Sequence, residues 1–185
     1  MSRMLPRTVE QFMAYACAME VEATERYAEL AELMDTHHNR EVAELFAKLA
    51  RIEGKHRDQI MQQMDWSTPP ASSSFRWETP EGPETTDYGD LHYLMTPYHA
   101  LKLAQHNERR AAEFFERFAA ARLPTAVRES AAEMAAEERE HVRDAVAFER
   151  GLPGLLGREA DSRKLVSEQR AQLVLVASEL GDVRQ

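Results

Sequence analysis

The sequence predicts an all-α protein, a four-helix bundle made of two hairpins of the same design. Three observations predict it. Apolar residues recur at alternating steps of three and four over most of the chain, which is the seam of antiparallel packed helices. Proline and serine gather in one central stretch, Trp66 to Glu84, which divides the periodic segments into two pairs. Each of the four seams carries a single Glu, and in the second member of each pair that Glu is followed three residues later by His.

The totals agree. A chain of 185 residues suits one domain with a sizeable core, and 43% hydrophobic with 30% charged residues is the make-up of a water-soluble helical protein. The bundle is expected over residues 1–150, with a linker and C-terminal helix over 151–185. A net charge of −9 disfavours nucleic acid and acidic membrane surfaces as partners. The one cysteine, Cys17, excludes a disulfide framework and any Cys-rich zinc or iron–sulfur site within one chain. Met1 to Arg7 lacks the apolar core of a signal peptide, and no apolar run reaches membrane-spanning length, so the expected location is cytoplasmic.

Taken in order, Thr8-Val9-Glu10-Gln11 has the form of a capping box and starts helix 1. Its stripe runs Val9, Met13, Ala16, Glu20, Ala23, Tyr27, Leu30, Met34, broken by a charge only at Glu20. Asp35 to Asn39 is a short polar turn, so helix 2 returns antiparallel; His37 and His38 in that turn read as surface histidines. Helix 2 runs from Glu41 to Met64 with Val42, Phe46, Leu49 and Ile60 inward, and Glu53 and His56 fall on the same stripe. The proline-rich stretch then blocks regular structure, and a crossover along the bundle over 65–95 explains its length. Trp66, Phe75 and Trp77 are suited to pinning it. Thr96-Pro97 caps helix 3, whose stripe is Leu101, Ala104, Glu108, Ala111, Phe115, Phe118, leaving His99 and His106 exposed. Leu123-Pro124-Thr125 divides it from helix 4, with Val127, Ala131, Met134, Glu138, His141, Ala145 and Phe148 inward. Gly151 to Gly157 is a break, and Asp161 to Leu180 reads as a fifth helix suited to docking on the bundle or on another chain.

The two halves align. Glu20 and Glu53 are 33 residues apart and Glu108 and Glu138 are 30 apart, each pair ending in Glu-x-x-His. That spacing puts carboxylate and imidazole on one helix face, within reach of one ion. Buried carboxylates are costly unless compensated, and no Lys or Arg occupies a seam to pair them. Two divalent ions would neutralise four carboxylates, with the two imidazoles capping one ion each. The candidate ligands are therefore Glu20, Glu53, His56, Glu108, Glu138 and His141, a set that suits iron, with manganese or a mixed pair as alternatives. Tyr27, one seam repeat after Glu20, reads equally as a core aromatic or as a phenol that transfers a proton or electron near the ions.

Glu20 with Tyr27, Glu53-x-x-His56, Glu108 and Glu138-x-x-His141 resemble the ferritin-like superfamily, in particular its rubrerythrin-like branch, over about residues 8 to 150. The resemblance implies a left-handed four-helix bundle with a long crossover between helices 2 and 3, and Fe(II) oxidation by dioxygen or peroxide at a di-iron centre. It also implies Glu53 and Glu138 as bridging ligands, Glu20 and Glu108 as terminal ones, and an external electron donor. Two features depart from the branch. A single cysteine cannot build the rubredoxin-like domain that many rubrerythrins carry. Ala111 stands where they have a second Glu on helix 3, used in peroxide reduction. The ligand set is closer to that of bacterioferritin-type ferroxidase centres, yet Gly54 and Lys55 occupy the positions where a haem-ligating Met would fall, so no haem is expected there. The first expectation is a di-iron oxidoreductase acting as a homodimer. The alternatives are a di-iron oxygenase acting on a small organic substrate, an iron-storage protein, and a bundle whose metal is only structural.

Overall fold

A computed structural model of the chain describes residues 5–70 and 92–151. Among them are four helices and no strand: α1 (Val9–Thr36), α2 (Arg40–Gln63), α3 (Pro97–Ala120) and α4 (Thr125–Gly151). This all-helical arrangement is consistent with a four-helix bundle. Phe75, Trp77, the side chain of Phe148, the break after Gly151 and the expected fifth helix lie outside what is described. None of the described helices is long and apolar enough to cross a membrane.

Local sequence sets the ends. Thr8 Oγ1 accepts the Gln11 N–H at 3.1 Å, and Gln11 Oε1 accepts the Arg7 N–H at 2.8 Å, one residue earlier than a capping box requires. α1 stops with His38 in the left-handed region at φ 60, Asn39 N–H donating to Met34 O at 2.9 Å and His38 N–H to Asp35 O at 2.9 Å. α2 stops the same way, with Asp65 at φ 54 and Trp66 N–H donating to Met61 O at 2.9 Å. These are six-to-one closures in which His and Asp take the place glycine usually fills. At α3 the Thr96 N–H donates to His99 Nδ1 at 3.3 Å, with Pro97 in the first turn. His99 is thus a partly buried capping residue rather than the exposed one expected, while His106 is exposed as expected.

The three-residue turn His37–Asn39 makes α1 and α2 antiparallel neighbours, and the short link through Leu123 does the same for α3 and α4. Asn39, at the start of α2, donates through Nδ2 to Tyr93 O at 3.1 Å and Met95 O at 2.7 Å. The chain that leaves α2 at Gln63 has therefore returned to the other end of α2 before α3 begins. Gln63 and Tyr93 thus stand at opposite ends of α2, which is roughly 36 Å long for 24 residues, and α2 and α3 point the same way.

Two apolar clusters fill the interior. One joins Phe12, Met13, Ala16 and Met19 of α1, Ile60 of α2, Phe114 and Phe115 of α3, and Val127, Ala131 and Met134 of α4, with Trp66 packed against it. Its rings stack edge to face, Phe12 on Phe115 at 5.8 Å and Phe114 on Phe118 at 5.0 Å. The other joins Tyr27, Leu30 and Met34 with Val42, Phe46, Met95 and Ala100. Each large apolar side chain removed from water here contributes about 1.5–3 kcal/mol. The clusters occupy the two ends of the bundle, and the seam carboxylates lie between them. The apolar ends specify the fold, and the middle is left for polar groups.

Candidate metal centre

The four seam glutamates are inside. Glu20 is 1%, Glu53 0%, Glu108 5% and Glu138 1% exposed, one from each helix. On α2, His56 Nδ1 lies 3.0 Å from Glu53 Oε2 and 3.8 Å from Glu20 Oε2. On α4, His141 Nδ1 lies 3.2 Å from Glu138 Oε2 and 3.5 Å from Glu108 Oε2. The two imidazoles stack face to face, centroids 4.3 Å apart and planes 4° from parallel. Each hairpin thus supplies its own triad: Glu20, Glu53 and His56 from α1 and α2, and Glu108, Glu138 and His141 from α3 and α4. Within each triad one ligand atom per residue lies within 4.8 Å of the others. The stacked histidines bring the triads side by side, so all six expected ligands converge.

Electrostatics show what such a cluster lacks. Burial pushes the Glu20 carboxyl well above the usual carboxylate range, and the charges of Glu138, Glu53 and Glu108 push it further, against a pull from His141. Glu53 is raised by burial, against the hydrogen bond from His56. Glu138 is raised to about 7, by burial first and by Glu108, with His141 opposing. Burial lowers His141, but its contacts with Glu108 and Glu138 more than reverse this and carry it to about 11. Without cations the cluster must hold protons. Glu20 Oε2 and Glu53 Oε1 also accept no hydrogen bond among the described residues, although both atoms are buried. Buried carboxylate oxygens without partners, with imidazole Nδ1 atoms turned toward them, are the donor set of a divalent-cation site. The residues present therefore fit a pair of iron or manganese ions.

Tyr27 lies two turns beyond Glu20, roughly 10 Å along α1. Its ring stacks on Phe46 at 6.1 Å, and its Oη accepts a hydrogen bond from Asn107 Nδ2 at 3.1 Å. Asn107, the residue before Glu108, is buried, as is Gln105, whose Oε1 accepts from Lys102 Nζ at 3.2 Å. Sequence reasoning missed both amides; the signal was two uncharged polar residues in the turn before one seam charge. Cys17 is buried, and burial followed by the charge of Glu20 raises its thiol, the opposite of a reactive cysteine. Gly54 packs near Thr24, where a Cβ would lie 3.9 Å from the Thr24 methyl.

A cavity of about 300 Å³ opens on the cluster between α2 and α4. Glu20, Glu138, His56 and His141 form its inner wall, with Met13, Ile60 and Met134 to one side. Gln59, Gln63, Ser130, Glu133 and Glu137 line its outer part. These outer residues read as a solvated helix face in the sequence, because nothing local marks them as facing another helix.

A family model described as Rubrerythrin matches residues 11–149. Among solved structures the chain is similar to an uncharacterised conserved protein from Magnetospirillum magnetotacticum MS-1, a crystal structure at 2.00 Å resolution. The two are 41% identical over 77% of this chain and 93% of that one, with a TM-score of 0.54. No curated protein matches. With the paired Glu-x-x-His helices in place and the family match spanning all four of them, the chain belongs to the rubrerythrin family.

Proposed function

We propose that this chain is a non-haem di-iron oxidoreductase that oxidises Fe(II) with dioxygen or peroxide. The observation that carries this reading is the duplication of the triad: two Glu, Glu, His sets, one per hairpin, meet across stacked imidazoles between two apolar clusters. A purely structural ion needs one closed site, whereas two adjoining sites match two-electron chemistry. Glu20, Glu53 and His56 would hold one ion and Glu108, Glu138 and His141 the other. When bound, an iron pair supplies one electron from each Fe(II), which matches the two electrons and two protons that turn peroxide into two waters.

The chain's own residues do the rest. His56 and His141 present Nδ1 inward and are fixed by Glu53 and Glu138, so little reorganisation is needed to take up an ion. The carboxyls of Glu20 and Glu138 and the imidazole of His141 hold protons in the metal-free state and release them as cations enter. The apolar clusters close off the two ends of the site, and the cavity between α2 and α4 opens on it. Tyr27, whose Oη accepts from Asn107 next to Glu108 in the chain, would pass an electron or proton along α1, and an external donor would return the electrons. The cavity on the site is lined by carboxylates, amides and a hydroxyl, which suits a small hydrophilic reactant better than a lipid-like one.

The test is replacement of His56 or His141 by Ala, followed by aerobic Fe(II) loading in a stopped-flow absorbance experiment. Each ion loses its nitrogen ligand in turn, so either single change should abolish rapid Fe(II) oxidation. Circular dichroism of the same samples should show unchanged helicity, because the apolar clusters do not depend on the histidines. Retained oxidation in both variants would overturn the proposal, and loss of folding with activity would point to a structural metal.

A further inference from the structure

The cavity between α2 and α4 carries more than the site behind it needs. On α4, Glu133, Glu137 and His141 stand at intervals of four, one line stepping roughly 6 Å per residue toward the cluster. On α2, Gln63, Gln59 and His56 form the facing line at intervals of four and three. The lining contains no lysine or arginine. At its inner end stands Glu20, 1% exposed, whose Oε2 has no hydrogen-bond partner among the described residues. The volume of about 300 Å³ exceeds the roughly 180 Å³ that six waters take up in the liquid, so the cavity has room for a hydrated cation.

We propose that this cavity is a loading vestibule with a transit site of its own. Glu133 and Glu137 attract a hydrated divalent cation and hold it through its waters, Gln59 and Gln63 solvate it from the facing helix, and the unpartnered Oε2 of Glu20 receives it at the inner end. This deepens the di-metal reading and rests on it. Two carboxylates at the mouth of a low-dielectric cleft focus the field on an incoming cation and raise its association rate. They do not enter the final coordination, which the six inner ligands provide.

Cobalt(II) is a suitable probe because its visible absorption reports binding without iron redox chemistry. Metal-free full-length protein would be mixed with Co(II) in a stopped-flow instrument at low and high ionic strength, comparing the wild type with Glu133→Gln/Glu137→Gln. A control, Glu25→Gln/Glu32→Gln, removes the same charge from exposed positions of α1 that do not line the cavity. The vestibule variant should load about tenfold more slowly at low salt, reach the same final absorbance, and approach the wild-type rate at high salt. The control should load like the wild type. Equal loading by the vestibule variant would overturn the proposal, as would equal slowing in the control, which would mean that only net charge matters. A lower final absorbance in the vestibule variant would also overturn it, by making these residues ligands of the bound ions. If the wild type itself bound no Co(II), the di-metal reading would fail first and the vestibule with it.

Discussion

Replacing Glu138 by Gln should stabilise the metal-free bundle above neutral pH while removing its capacity for two ions. The amide keeps the shape of the side chain and an oxygen that can still accept from His141, but carries no charge. In the folded chain the Glu138 carboxyl is raised from its ordinary 4.5 to about 7, by burial first and by Glu108, with the pull of His141 already included. For an acid whose folded value is raised, the favourable contribution is complete below the unfolded value and is lost as pH climbs through the folded one. The wild type should therefore lose about 3 kcal/mol between pH 4.5 and 8 through this group alone, at 1.36 kcal/mol for each tenfold change. The variant has no such loss. Without metal at pH 8 it should be the more stable by about 3 kcal/mol, a gain in Tm of roughly 6–12 °C for a chain of this size. Toward pH 5 the two melting curves should converge. The assay is thermal melting followed by circular dichroism on chelator-treated samples from pH 5 to 8.5. If Glu138→Gln melted at or below the wild type at pH 8, the carboxylate would not be under the burial and repulsion argued here.

Metal should reverse that order: Mn(II) at 1,000 times its Kd should stabilise the wild type by about 4.1 kcal/mol, and Glu138→Gln, which keeps only the Glu20, Glu53 and His56 triad intact, by much less in the same melts. Because Glu20, Glu138 and His141 hold protons in the metal-free state, Mn(II) binding should release protons, and affinity should rise with pH from 6 to 8; titration in buffers of different ionisation enthalpy checks this. Tyr27→Phe leaves the Asn107 amide without the phenol oxygen it donates to, so it should cost about 1 kcal/mol in denaturant unfolding. If the phenol carries an electron or proton, the same change should also slow Fe(II) oxidation at unchanged metal stoichiometry.

The convergence of the six candidate ligands was legible in the sequence because burial of charge is a contradiction that periodicity exposes. A Glu at a seam position either ruins the core or is compensated, and four such residues with two paired histidines leave few compensations. The four described helices and the turn at His37–Asn39 were legible for a related reason: proline and polar clusters stop the stripe where it must stop. Other features follow from packing that no local pattern carries. Phe12 and Met19 are fully buried beside the expected seam because α1 packs on more than one neighbour, which widens its apolar face beyond one seam position per turn. Asn39 ties down residues 54 and 56 positions away, a contact that no periodicity reveals. Asn107 and Gln105 precede Glu108 as ordinary helix amides, and Asn107 gains its role only when Tyr27 of α1 is brought to it. Glu133 and Glu137 look like any exposed acid until α2 comes to lie across from them.

The central claim is that two ions sit side by side, one in each hairpin's triad. Anomalous diffraction from crystals loaded anaerobically with Fe(II), measured on both sides of the iron edge, tests it most directly. The account predicts two iron peaks about 4 Å apart, one within Glu20, Glu53 and His56 and the other within Glu108, Glu138 and His141. A single peak, or iron bound only outside the bundle interior, would contradict it.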